Sequence, residues 1–319
     1  MCADTTQSLL NATAIDVEYG KQTVLSGIDV CLEKGTTLGL LGLNGAGKST
    51  LLKVLAGVCP PSSGTVNIAG ADLNTEPMAA RLSLGFAPDR PPVHSEFTVT
   101  EFLTYAAELR RVHKKQLSAA VSSVIERCGL GEHRHRIIAN LSHGYQQRIN
   151  LAQALVHKPK VLLLDEPTNG LDPLQLMEMR SLITRIGENH ATIFSSHLLT
   201  EVEASCNQVM LINDGKKLLD LPIDQISNKG GATFEVVLHQ AALQTDLQDL
   251  PGVLSVCSVD PLHWLVTTND SPQSGNPASI GEALIARGLQ LLEVNPVKNH
   301  LERVFNQLSA DSTAIGDTQ

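Results

Sequence analysis

The residues that most restrict this chain stand in one run, Gly42-Leu43-Asn44-Gly45-Ala46-Gly47-Lys48-Ser49, the pattern G-x-x-x-x-G-K-[ST]. Glycine at 42, 45 and 47 lets the backbone fold closely enough for several N–H groups to converge on one anion. An apolar run, Leu38 to Leu43, precedes the loop. Leu51, Leu52, Leu55 and Ala56 follow at helical spacing, with Gly57 placed to end the helix. Strand, glycine loop and helix open an α/β unit, and the helix aims the positive end of its dipole at the loop. A polyphosphate fits that arrangement. Lys48 then neutralises the β- and γ-phosphates, Ser49 offers a hydroxyl to Mg²⁺, and Thr50 adds a donor beside Asn44.

A second apolar run ends in acids: Leu162-Leu163-Leu164-Asp165-Glu166-Pro167. An acid at the end of an interior strand is expensive to bury unless a cation or donors satisfy it. Asp165 is expected to hold the Mg²⁺ shell, and Glu166 to orient and deprotonate an attacking water.

Charge and composition narrow the class. Lys plus Arg total 24 against 33 Asp plus Glu, a formal charge of −9, which opposes a charge-driven grip on nucleic acid. An aromatic content of 3% is too low for a base-stacking platform. No apolar run approaches the ~20 residues that span a bilayer. Met1 to Leu10 lacks the basic and apolar regions of a secretory signal. The cysteines, at 2, 31, 59, 128, 206 and 257, lie far apart with no C-x-x-C pair and read as reduced thiols of a cytosolic protein. His133-Arg134-His135-Arg136 is a solvated stretch rather than a metal cluster, since the interleaved arginines repel a cation.

Along the chain, residues 12–40 alternate as short strands. Phe102, Leu103, Ala106 and Leu109, then Val121, Val124 and Ile125, mark a helix-rich insert over 98–130. Val161–Leu164 and Ala191–Ser195 read as strands buried on both faces. Composition shifts at Asn228-Lys229-Gly230-Gly231. Beyond it, Phe234–Leu238 and Trp264–Thr268 read as strands. Ile280, Leu284 and Ile285 suggest one helix, Leu301, Val304, Phe305 and Leu308 another, and Asn269–Ser279 a loop.

The stretch Leu141-Ser142-His143-Gly144-Tyr145-Gln146-Gln147-Arg148 resembles the L-S-x-G-x-x-Q-R signature of the ATP-binding subunits of ABC transporters. Tyr19 stands where that family stacks an aromatic ring on adenine. Asn169-Gly170-Leu171-Asp172 is similar to its D-loop, and Ser195-Ser196-His197 to its switch histidine. The resemblance implies a P-loop NTPase of ABC type, a mixed sheet core plus helical subdomain, over residues 12–228 with the helical part at about 96–158. A small α+β domain would follow over 232–308.

The resemblance also implies ATP and Mg²⁺, and two such chains paired head to tail. Each ATP would lie between one chain's glycine loop and the other's Ser142, Gly144 and Gln147. His197 would touch the γ-phosphate from its own side, and Asp172 would link the two sites. Asp89 stands where the family usually has glutamine; it can reach the metal through water, but when ionised cannot donate a hydrogen bond. Separate membrane-spanning permease subunits would hold the chain at the inner face of the membrane. Gly170-Leu171-Asp172-Pro173 and the text after His197 look like the bacterial exporter branch. Alternatives are a soluble ATPase acting on ribosomes or DNA, and a regulatory subunit that hydrolyses weakly.

Overall fold

The computed structural model describes residues 8–91, 94–223, 233–240, 244–248, 250–258, 262–268 and 277–297. The chain divides into two units, Met1–Leu221 and Pro222–Gln319.

The first unit begins with two 12-residue strands, β1 (Ser8–Tyr19) and β2 (Gln22–Glu33), longer than the short strands expected. Register shifts around Ala12, Ile15 and Val17 interrupt their antiparallel pairing, so the alternation reads as broken in sequence while the strands run on. The next elements are β3 (Thr37–Leu41), α1 (Lys48–Leu55), β4 (Ser63–Ile68), β5 (Ala71–Asp72), α2 (Pro77–Leu82) and β6 (Leu84–Ala87). β2-β1-β4-β5 form one sheet. The helical insert contributes α3 (Val99–Leu109), α4 (Lys114–Arg127) and α5 (His143–Leu155). A reciprocal Thr98–Glu101 capping box starts α3. Phe102, Leu103, Ala106, Val121, Val124 and Ile125 are buried, but Leu109, at the last turn of α3, is 65% exposed.

The chain then returns through β7 (Val161–Leu164), α6 (Pro173–Gly187), β8 (Ala191–Ser196), α7 (Leu199–Ser205), β9 (Gln208–Asn213) and β10 (Lys216–Pro222). The second sheet has the order β10-β9-β3-β8-β7-β6, and its pairs from β9 to β6 are parallel. Both apolar runs read as interior strands are fully buried: Val161–Leu164 as β7 and Ala191–Ser196 as β8. Leu51, Leu52 and Leu55 of α1 pack into the same core as Leu38, Ile193 and Ile212. Gly57 has φ +66°, the left-handed conformation that ends the helix.

The second unit pairs β11 (Thr233–Leu238), β12 (Val253–Ser258), β13 (His263–Thr268) and β14 (Leu291–Val297) in the antiparallel order β12-β13-β11-β14. Helices Gln244–Gln248 and Pro277–Ala286 complete a βαββαβ sequence. Phe234, Val236, Trp264, Val266, Ile280 and Leu284 form its core. The sequence missed β12, β14 and the first helix. Pro277 to Ser279, read as loop, belong to the second helix, where proline suits a first turn. The helix expected at Leu301–Leu308 and the shift at Asn228–Gly231 lie outside the described residues. Cys59, Cys128 and Cys206 are free thiols, whereas Cys31 enters a disulfide, against the reading of every cysteine as reduced.

The sheet order sets the site. β3, β8, β7 and β6 are consecutive neighbours, so the loops leaving their carboxyl ends meet along one edge, the usual ligand crevice of parallel sheets. Close packing of α5 on β6 holds that edge. A Cβ at Gly85 would stand 2.2 Å from the Ala154 carbonyl. Gly85→Ala should therefore cost ~1–3 kcal/mol of stability through overpacking, read as a lower urea midpoint at unchanged slope.

Candidate functional site

The loop after β3 is built as its residue types require. A Cβ at Gly42 would meet the Ile212 carbonyl at 2.4 Å, and Gly45 and Gly47 have φ of +86° and +108°. No side chain caps α1, so the N–H groups of its first turn remain directed at the loop. Lys48 is buried, and its Nζ donates to the carbonyls of Gly42 at 2.7 Å and Leu43 at 3.3 Å. The ammonium is thereby folded over the loop.

Two acids follow β7. Asp165 accepts from Ser49 Oγ at 3.0 Å and Ser195 Oγ at 2.8 Å. Burial raises its carboxyl above the ordinary range; the two hydroxyls oppose that rise, while the charges of Asp89 and Glu166 add to it. Glu166 adopts φ +46°, a left-handed conformation that costs a residue with a side chain of order 1 kcal/mol. Its N–H donates to Ser195 Oγ at 2.9 Å. Its carboxylate reaches two partners, Lys48 Nζ at 3.5 Å and His197 Nδ1 at 3.0 Å. Because a carboxylate only accepts, the His197 proton on that side sits on Nδ1.

A cavity of about 480 Å³ opens over these groups. Asn44, Gly45, Gly47, Lys48, Ser49, Thr50, Asp89, Glu166 and His197 line it, as do Val24 and Asn169. Gly42 lies beneath the loop and Asp165 behind Ser49. Asp89 accepts from Asn169 Nδ2 at 3.4 Å through its carboxylate. No cluster of three or more His, Cys, Asp or Glu able to hold a metal occurs among the described residues.

Other expected residues lie outside this lining. Tyr19 is 55% exposed at the end of β1, where its hydroxyl meets Cys59 Sγ at 3.3 Å; that contact raises the phenol above its ordinary value. Ser142 is the exposed N-cap residue of α5 and makes no capping bond with its side chain. A Cβ at Gly144 would stand 2.5 Å from Gln175 Oε1, the tip of a flexible side chain that would have to swing aside. Gln147 is buried and donates to the main-chain carbonyl of Asp89 at 3.4 Å, holding that loop rather than facing the cavity. Asp172 caps α6 by accepting from the Gln175 N–H at 2.9 Å. His143, in the variable signature position, contacts the Asn169 carbonyl through Nε2 at 3.1 Å.

Asn169 and Ser195 are named from sequence only within the D-loop and switch stretches, with no role of their own, and Val24 is not named. A hydroxyl at the end of a buried strand was the available signal for Ser195; nothing local marked Val24.

A family model described as ABC transporter matches residues 25–169. The bacitracin transport ATP-binding protein of Bacillus licheniformis is 30% identical, over 96% of this chain and 99% of that protein. The daunorubicin resistance ATP-binding protein of Streptomyces coeruleorubidus is 28% identical, over 95% of this chain and 98% of that one. A solved ATP-binding subunit of an ABC transporter superposes with a TM-score of 0.63 at 26% identity, covering 69% of this chain and 92% of its own.

Asp165 gives a prediction with a definite sign. Its carboxyl is raised in the folded chain above the ordinary 3.8, so its contribution favours folding below that value and is lost as pH rises through the native pKa. Asp165→Asn should raise the melting temperature of the nucleotide-free protein at neutral pH. The difference should shrink toward pH 4 in a thermal denaturation series.

Proposed function

The chain belongs to the ABC transporter family and is an ATP-binding, ATP-hydrolysing subunit, and from that premise we propose that two copies, or one copy and a similar ATPase subunit, enclose ATP between them and drive an exporter. The observation that carries the proposal is the Glu166 carboxylate held between Lys48 and His197 at the cavity wall. Glycine loop, uncapped helix and buried ammonium suit a triphosphate. When it enters, its terminal oxygens take over Lys48, and the carboxylate of Glu166 is released from that cation while keeping His197. Glu166 is then free to orient a water and accept its proton. His197, with Nδ1 directed at the Glu166 carboxylate, leaves Nε2 for the terminal phosphate.

Mg²⁺ suits the donor set on the floor: the Ser49 hydroxyl and the Asp165 carboxylate, which stand 3.0 Å apart. Ser49 and Asp165 would hold the ion, and when bound it would supply charge neutralisation beside the phosphates. Asp89 belongs to that shell through water. Ser142 and Gly144 are not among the residues lining the cavity, and the uncapped N–H groups at the start of α5 suit the ATP bound by a partner, with Asp172 linking the two sites. Tyr19, on the exposed hairpin, is assigned to adenine.

No helix among the described residues is long and apolar enough to cross a membrane. As the ATP-binding subunit of a transporter, the chain would sit at the cytoplasmic face, held by separate membrane-spanning subunits. Transport of bacitracin and resistance to daunorubicin, the roles named for two relatives, support the outward direction. The acidic balance of the chain speaks against direct nucleic-acid binding.

Glu166→Gln should bind ATP and pair in its presence by gel filtration, yet turn over at least ~100-fold more slowly than wild type. Lys48→Ala should lose nucleotide affinity. Wild-type turnover in Glu166→Gln would remove the general base from this scheme.

A further inference from the structure

A second buried acid lies behind the site. Glu201, in the first turn of α7, is 2% exposed and forms no ion pair among the described residues. One of its oxygens, Oε2, accepts from Thr168 Oγ1 at 2.5 Å and from Ser196 Oγ at 2.8 Å. Ser196 Oγ in turn accepts the Leu198 N–H at 3.0 Å. A carboxyl buried without a cation is costly unless hydroxyl or N–H donors satisfy it, so both hydroxyls are drawn to one point.

What those hydroxyls belong to gives the contact its meaning. Thr168 lies two residues after Glu166, and Ser196 immediately before His197. The start of the Glu166 turn is already fixed, because Ser195 Oγ bridges the Glu166 N–H and the Asp165 carboxylate. Glu201 fixes the far end of that turn, and through Ser196 and Leu198 it brackets His197 on both sides.

We propose that Glu201 is a positioning residue for hydrolysis: by joining Thr168 to Ser196 it holds the two turns in the register that lets His197 Nδ1 meet Glu166 Oε2 at 3.0 Å. It touches neither nucleotide nor water. The glycine loop and α1 grow from a different strand, β3, and make no hydrogen bond to Glu201 among the described contacts. The clamp therefore acts on turnover rather than on ATP affinity. This inference rests on the reading that Glu166 and His197 act together on the terminal phosphate.

The test measures kcat and KM for ATP of the full chain, below the melting temperature of every variant, in wild-type and His197→Ala backgrounds. Glu201→Ala should lower kcat ~10- to 100-fold, the cost of a misplaced catalytic group, with KM within about threefold. Glu201→Gln, which keeps an oxygen acceptor, should recover most of the rate. With His197 already truncated, loss of Glu201 should cost less than about threefold more, because the contact it positions is gone. Equal losses in both backgrounds, a KM rising as fast as kcat falls, or near-normal turnover in Glu201→Ala would overturn the clamp. Should Glu201→Ala fail to fold, Thr168→Val and Ser196→Ala each cut one half of it. A turnover loss in either supports the clamp, and normal rates in both overturn it. Glu166→Gln run alongside separates the two levels. If it is inactive while Glu201→Ala is normal, only the clamp fails; if it is itself normal, the reading beneath it fails.

Discussion

The carboxylate of Glu166 has two cationic or protonatable neighbours, Lys48 at 3.5 Å and His197 at 3.0 Å, and each of the three groups leaves a different strand. Their meeting depends on the order β3-β8-β7, which puts those strand ends side by side. Every strand in that trio is buried on both faces, which only a parallel sheet covered by helices allows. The helical covering is thus a condition of the chemistry: Gly85 lets α5 close on β6, and Gln147 on that helix pins the loop bearing Asp89.

The same crowding makes the nucleotide-free site electrostatically unfavourable. Asp89, Asp165 and Glu166 face one region, and burial together with the other two charges pushes the Asp165 carboxyl upward. Lys48 offsets only part of this, since its ammonium also serves two backbone carbonyls. A ligand that brings phosphate to Lys48 and a divalent cation to Asp165 relieves both at once. Binding to the folded state alone then stabilises it by RT ln(1 + [L]/Kd), about 2.7 kcal/mol at a ligand concentration of 100 Kd.

Legibility in the sequence followed locality. Gly42 to Ser49 could be read because a phosphate cradle needs its N–H groups from contiguous residues, and Asp165-Glu166 because acids ending an apolar run are costly. Both interior strands declared themselves as unbroken apolar runs. Partnerships across long separations did not: Ser195 with Asp165, Thr168 with Glu201 and Asn169 with Asp89 join distant segments through side chains that look ordinary in place. The length of β1 and β2 was hidden by bulges that shift the alternation. In the second unit, Leu254 and Leu292 are exposed on β12 and β14, so the two-residue pattern that revealed β11 and β13 is blurred at the sheet edges.

The helix tip at Ser142 and Gly144 does not line the Lys48 cavity, yet a short series of contacts joins the two. His143 contacts the Asn169 carbonyl, Asn169 donates to Asp89, and Asp89 lines the cavity. On the other flank, Gln175 covers Gly144 while its N–H binds Asp172. The tip thus packs against Asn169 at one end of the 169–172 stretch and Gln175 just beyond the other, and Asn169 holds Asp89. Substituting histidine for a glycine in the signature adds a side chain to that route. The Asp89 carboxylate completes it, because an acceptor there matches the Asn169 amide donor without any rearrangement of the loop.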